Sequence, residues 1–359
     1  MKTLIVGGGL AGLSLAYHLS EAGRDFCLVE ARDRFGGRIL TEHVGDSAFD
    51  LGPAWFWPGQ PRIAKLIGKL RLEYFEQFSQ GSFCYEDTNG QVHTAGEFAS
   101  MQGSLRVAGG IAAFTDALVQ TLPAAKLRTQ AQVVSLTKTQ DGIVAGLADG
   151  ATLTADHVVL AIPPRVAGTL DFTPLLPQAA MTSLATVPTW MAGHAKAIAV
   201  YDQAFWRDAG LSGDASSRIG PMVEIHDASP ASGGPYGLFG FLGVPAMQRT
   251  DEVGLRDQIL EQFVRIFGPQ AASPRALLLK DWAMDPMTSV PADAAPLHAH
   301  PRYGLPMGCE GLWANRLHFG STEMAPQFGG FLEGALEAAE IVFHALVPDT
   351  QEVADGVRY

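Results

Sequence analysis

Gly7, Gly9 and Gly12 stand at G-x-G-x-x-G spacing, directly after the apolar run of residues 1–6. A second apolar run closes on the acid Glu30. Those residue types at that spacing describe a nucleotide-binding turn. Gly7 permits a tight turn off a strand. Gly9 has no Cβ, so backbone N–H groups can approach a pyrophosphate. Gly12 lets the following helix pack closely on the strand. The phosphate charge would then sit at the positive end of that helix, and Glu30 would accept hydrogen bonds from a ribose diol. A glycine turn alone is weak evidence. Here the strand before it, the helix after it and the closing acid complete a βαβ unit for a dinucleotide.

Other side chains could carry chemistry. Lys196 is a lone cation in the apolar, β-rich run 195–201. Burying it is costly unless it is paired or functional; the plainer reading is an edge lysine reaching out to water. Phe331 and Trp282 are candidates for a binding wall, against ordinary core packing. His298 and His300 could share one face of a strand, but no further Cys or His ligand is near, so no metal is expected. Cys309 has Arg302 and Arg316 in its neighbourhood but no activating base, so it is expected to be inert. Neither a serine nucleophile elbow nor a GK[ST] phosphate loop is present.

These residues need a scaffold. The 359-residue chain carries 25 Lys+Arg against 37 Asp+Glu, a formal net charge of −12. That charge argues against nucleic acid or an anionic membrane as a general partner. Cys27, Cys84 and Cys309 form no CxxC, which suggests no disulfide framework and a reducing compartment. The chain starts in a strand and has no membrane-length apolar run, so a cytoplasmic protein is expected. Helices are expected over residues 61–70, 111–122, 252–267 and 330–346, and Asn89-Gly90 marks a hairpin. Strands are expected over 132–136, 142–147, 152–154 and 158–162, then over 195–201, 222–225, 236–244 and 276–282. The pattern is α/β: a Rossmann-like domain (1–78, 107–184 and 304–359) with an inserted sheet-based α+β substrate domain (79–106 and 185–303).

The run from Glu30 to Arg38 resembles the extended fingerprint of FAD-dependent amine oxidases. The resemblance implies that Arg32, Gly36, Gly37 and Arg38 lie at FAD. Residues 48–55 resemble the segment whose backbone passes the flavin, which brings in Ala54 and Trp55. Val133 matches a valine beside adenine, and 158–164 resembles a buried strand ending in Pro-Pro. Residues 319–335 resemble the closing motif of the family, implicating Gly320, Glu323, Gly330, Phe331 and Ala335. There a helix N-terminus would stabilise charge developing on the reduced flavin. Residues 191–207 resemble the segment whose lysine, here Lys196, holds a water against flavin N5. Trp282 matches a tryptophan near the flavin, and Phe331 stands where members with an aromatic cage carry Tyr. The second cage position falls near Pro291-Ala292, so that wall is expected to be missing. Some members attach FAD through a Cys at the position of Pro291, so FAD is expected to be non-covalent.

The resemblance covers residues 1–60, 107–206 and 276–345. It implies an oxidoreductase that oxidises a C–H bond next to an amine nitrogen by hydride transfer to flavin N5. O2 would reoxidise the flavin and give H2O2. The resemblance implies a small-molecule substrate, an amine. No arginine can be assigned to a substrate carboxylate; Arg106, Arg218 and Arg249 are unassigned candidates. One alternative is a flavin-dependent desaturase or porphyrinogen-type oxidase, whose usual lipophilic surface fits poorly with the acidic composition. Another is a flavin-binding partner protein without oxidase turnover, motivated by a shortened stretch between Trp57 and Gly109. That shortening leaves the site open, or covered by a partner in a homo-oligomer.

Overall fold

The computed structural model describes residues 1–97, 100–295, 297 and 299–348. Its first layer is a parallel five-stranded sheet in the order Leu317–Phe319, His157–Leu160, Lys2–Val6, Asp25–Val29, Leu127–Arg128. Alternate side chains of these short apolar strands point to opposite faces. Ile5, Leu28 and Val159 pack against helices Leu10–Glu21, Ala112–Thr121 and Leu332–Leu346. Leu4, Val6, Val158 and Leu160 face the other way. They meet Val133, Leu136, Ile143 and Ala145 of a four-stranded sheet, in the order Thr152–Ala155, Ile143–Leu147, Val133–Lys138, Asp171–Thr173. Helix Leu10–Glu21 is apolar almost all round because sheet and helices enclose it. Its fully buried Leu13, Leu15 and Leu19 each contribute about 1.5–3 kcal/mol.

A second unit is built on a seven-stranded sheet in the order Ala276–Asp281, Ala195–Tyr201, Tyr236–Leu242, Met222–Asp227, Leu211–Ser217, Ser82–Glu86, Val92–Glu97. The pairings are antiparallel except for Leu211–Ser217 on Ser82–Glu86. Helix Glu252–Phe267 starts at Asp251, whose carboxylate accepts from the Gly254 N–H. It buries Leu255, Ile259, Phe263 and Ile266 on the sheet face made by Ala195, Ala197 and Ala199. Ile198, Val200 and Phe239 line the opposite face with Phe49 and Leu51. Phe49 belongs to the hairpin Thr41–Val44/Ser47–Asp50. The hairpin thus brings the first unit's chain against the second unit's sheet.

The expected helices and strands at these positions are present, with ends shifted by a few residues. The strand Leu211–Ser217 has no counterpart in the sequence reading. Its sequence, LSGDASS, is small and polar, and only its central place in the sheet makes it a strand.

Candidate active site

The glycine turn divides into two kinds of position. A Cβ on Gly7 (φ +109°) would lie 2.6 Å from the Ala161 carbonyl oxygen, and one on Gly12 would lie 2.0 Å from that of Gly7. The protein's own packing requires both glycines. Gly9 differs: its φ is −77°, and a Cβ there would come no nearer than 3.8 Å to another residue. Its missing side chain opens space in the cavity that Gly9 lines, and this is the space a pyrophosphate needs. Helices Leu10–Glu21 and Leu332–Leu346 both begin without a side-chain cap, and Leu10, Ala11, Leu332 and Ala335 line the same cavity. Two helix N-termini and a glycine cradle are a donor set suited to a diphosphate.

Glu30 is buried and oriented before any ligand arrives: its carboxylate accepts from the Gly8 N–H at 2.8 Å and the Arg32 N–H at 2.9 Å. Arg32 is fixed in turn by Asp285 at 2.6 Å and Thr288 Oγ1 at 3.0 Å. Arg34 stays within its own loop, donating to the Ile39 and Gly37 carbonyls at 3.0 Å each. Arg38 pairs with fully buried Glu323 at 2.5 Å and 3.1 Å. Burial opposes the Arg38 charge, but the Glu323 carboxylate outweighs it and raises the pKa above the ordinary arginine value.

The cavity, about 300 Å³, continues from this cradle to the seven-stranded sheet. Every residue of Ala195–Tyr201 is buried, Lys196 included. Lys196 Nζ donates to the Gly52 carbonyl and lies over the rings of Phe239 (4.8 Å) and Phe241 (4.9 Å). Burial lowers its pKa to about 8, against the pull of Asp50. Asp50 is buried too; its Oδ1 accepts from Thr41 (2.6 Å) and the Ile111 N–H (2.9 Å), while its Oδ2 is unpartnered among the described residues. Burial pushes that carboxyl upward. Trp282 closes the wall, its Nε1 donating to the Leu51 carbonyl at 2.9 Å, and Trp55 Nε1 donates to Gln77 at 2.9 Å.

Phe331, at the start of the last helix, is 38% exposed and lines the cavity. One ring face is taken by His300, stacked at 4.6 Å and 7°. Trp190 meets His300 edge-on at 4.8 Å and joins the wall. No residue of the Pro291–Asp293 turn lines the cavity. Trp190, Trp57, Met101 and His194 are wall residues that the sequence reading did not single out.

Of the residues read from sequence, Gly7, Gly9, Glu30, Arg32, Gly36, Gly37, Arg38, Ala54, Trp55, Lys196, Trp282, Gly330, Phe331 and Ala335 line this one cavity. Gly12, Val133, Gly320 and Glu323 do not. Gly12 packs on Gly7, and Glu323 acts through Arg38. Val133 is buried between the two sheets of the first unit, and a Cβ on Gly320 would meet Val159 and Val342. Arg106, Arg218 and Arg249 also lie outside the wall. Arg106 is buried on the Ser229 and Ala228 carbonyls, Arg249 pairs with Asp281, and Arg218 is exposed. His298 lies outside the described residues.

The fold and the cavity define a dinucleotide-binding α/β protein with a lysine-bearing aromatic chamber beside its cradle. Comparison with known proteins agrees: the family model for flavin-containing amine oxidoreductases matches residues 10–102 and 96–342. The chain belongs to that family. It is 23% identical over 443 residues to the probable flavin-containing monoamine oxidase A of Dictyostelium discoideum, covering 93% of this chain and 95% of that one. It is 36% identical over 91 residues to the putrescine oxidase of Kocuria rosea, 25% of this chain and 19% of that one. The structure of cyclohexylamine oxidase from Brevibacterium oxydans IH-35A superposes with a TM-score of 0.81 at 20% identity, covering 98% and 99% of the two chains. This protein is therefore an FAD-dependent oxidoreductase of the amine oxidase family, and FAD is its cofactor. Among the described residues no helix is long and apolar enough to cross a membrane.

Proposed function

We propose that this chain oxidises a small amine at the carbon next to nitrogen. The observation that carries this reading is the position of Lys196. It is a buried amine with no carboxylate in contact among the described residues, and it lies in one cavity with the nucleotide cradle, Trp282 and Phe331. When bound, FAD would supply the electron sink, as acceptor of hydride from that carbon at N5, with O2 as the oxidant that would restore it and give H2O2.

The protein's residues orient and dry this site. Gly9, Glu30, Arg32 and Arg38 would hold the dinucleotide, and the first turn of Leu332–Leu346, which lines the same cavity, would offer it a positive dipole. Trp55, Trp282, Phe331 and Phe241 exclude water and shape an apolar slot. Lys196 would hold a water beside the bound cofactor and support its reoxidation. FAD is held without a covalent bond, because Cys27, Cys84 and Cys309 are absent from the cavity wall. Burial pushes the Cys84 and Cys309 thiols up to about 11, which keeps them unreactive. Free thiols fit a cytoplasmic setting. Among the described residues, those of 79–106 and 185–303 make up the substrate domain of this reading, and those of 1–78, 107–184 and 304–359 the FAD domain.

The test is an anaerobic visible spectrum of the FAD-loaded protein before and after primary, secondary and amino-acid amines. Bleaching by one amine, reversed with peroxide on admitting air, is the expected outcome. Flavin left oxidised by every amine would move the assignment to a desaturase-type substrate or a protein without turnover.

A further inference from the structure

Arg32 comes from the first unit and lines the cavity with Gly9 and Glu30. A guanidinium carries N–H donors on three nitrogens. Two donors, both on Nη2, are spent inside the protein: one on Asp285 Oδ1 at 2.6 Å, one on Thr288 Oγ1 at 3.0 Å. Nη1 lies 3.5 Å from the Glu30 carboxylate. The side chain keeps 15% of its surface exposed, so one edge of the fork is pinned while the group still reaches the cavity.

The residue that pins it belongs to the second unit. Asp285 stands in the turn that follows Ala276–Asp281, the edge strand of the seven-stranded sheet. Asp285-Pro286 is a turn-opening pair: the aspartate side chain bonds its own backbone two residues on, and proline presets the next φ. The Met287 N–H donates to Asp285 Oδ1 at 3.1 Å, and the Thr288 and Ser289 N–H groups donate to the Asp285 carbonyl at 3.0 Å and 2.8 Å. Met287 and Thr288 line the cavity. The second carboxylate oxygen, Oδ2, accepts from Lys280 Nζ at 2.8 Å. Burial opposes the Asp285 charge, but the bond from Lys280 and the charge of Arg32 outweigh it and hold the carboxyl below its ordinary value. The two oxygens therefore serve different units: Oδ1 holds Arg32 of the first, and Oδ2 is satisfied by Lys280 of the second.

We propose that Asp285 is a positioning residue for the cofactor: its carboxylate sets the Arg32 fork at the dinucleotide, so that a turn of the second unit completes the cofactor site. The assignment rests on the reading of Arg32 as a dinucleotide contact. A free arginine loses its rotamer freedom when it binds an anion, whereas a pinned one has lost it beforehand. The anion then meets a planar fork of fixed direction. Lys280 shares the carboxylate without touching Arg32, so its removal tests whether any loosening of the turn has the same effect.

The test is FAD titration of the cofactor-free protein, read by quenching of flavin fluorescence. The proteins are the wild type, Arg32→Met, Asp285→Ala, Asp285→Asn, Lys280→Met and the double variant R32M/D285A. No amine is present, so the result is independent of the amine reading. R32M should bind FAD about tenfold more weakly, the size of one lost charge-assisted contact. D285A should match it, and D285N, which keeps an acceptor for Nη2, should regain part of the loss. K280M should stay within about twofold of wild type. The double variant should bind no more weakly than R32M, because Asp285 acts through Arg32. An unchanged affinity in R32M overturns the reading of Arg32 and this assignment with it. With R32M weakened, three results overturn this assignment alone: an unchanged affinity in D285A, losses that multiply in the double variant, or a K280M protein as weak as D285A. If D285A does not fold, D285N replaces it in the cycle. A loss in D285N that vanishes on the R32M background supports the assignment, and any other result overturns it.

Discussion

Lys196 and Lys280 lie directly opposite each other on adjacent antiparallel strands. Like charges in that relationship repel, and the fold treats the two amines differently. Lys280 pairs with Asp285 at 2.8 Å and lies over the Trp282 ring at 4.7 Å. Among the described residues, Lys196 has only the Gly52 carbonyl and aromatic faces. One lysine is neutralised by a carboxylate that also fixes Arg32, and the other is left in the cavity with a weakened hold on its proton.

Lys196→Met tests that state. Folding takes the lysine from 10.5 to about 8, so between these values the unfolded chain holds the extra proton. The contribution of Lys196 to stability therefore rises with pH across that window, and its burial cost applies in full below about pH 8. At pH 7 the Met variant should be the more stable, by up to about 3 kcal/mol, with the difference shrinking toward pH 10.5. Urea unfolding at pH 7 and pH 10 measures this. The same variant should keep FAD and reoxidise more slowly with O2 in stopped flow; an unchanged rate would remove Lys196 from that step.

Gly9→Ala and Gly12→Ala should separate binding from folding. The Gly12 variant forces a Cβ against the Gly7 carbonyl and should lose at least 1–3 kcal/mol, about the cost of overpacking. The Gly9 variant meets no protein atom closely and should melt within about 0.5 kcal/mol of wild type without cofactor. It should nonetheless bind FAD about tenfold or more weakly. Thermal melts of the cofactor-free proteins and FAD titrations check both.

Glu323→Ala should act through Arg38. Removing the buried partner leaves a charge without compensation, at a cost of about 3–5 kcal/mol. Glu323→Gln keeps one acceptor and should cost less. Differential scanning calorimetry gives the ranking. Equal melting of the two variants would mean that the carboxylate charge contributes nothing.

Acid precipitation of the holoprotein should release all of the flavin to the supernatant, measured by absorbance. Flavin remaining with the pellet would show a covalent link that the cysteine positions do not support.

Much of the cradle was legible because its constraints are local. Gly7 needs a positive φ and Gly12 a missing Cβ within one turn of chain, so strand, glycines and helix are written consecutively. The helix Glu252–Phe267 was legible from its apolar period. The strand Leu211–Ser217 was not. Ser212, Asp214 and Ser217 are buried there because Ser82, His226 and Glu86 satisfy them, and those partners lie in other strands.

By itself, then, the sequence determined the βαβ cradle and the closing helix, whose residues are fixed by backbone sterics over a few positions. The tertiary structure alone decided which side chains share the chamber. Arg32 reaches Asp285 across 253 residues. His194 meets Trp282, and His300 backs Phe331, only because strand order and turns bring them together. A polar group's partner in a distant strand leaves no periodic trace in the sequence. For that reason His194 could be recognised as a cavity-wall residue only once the sheet had been assembled.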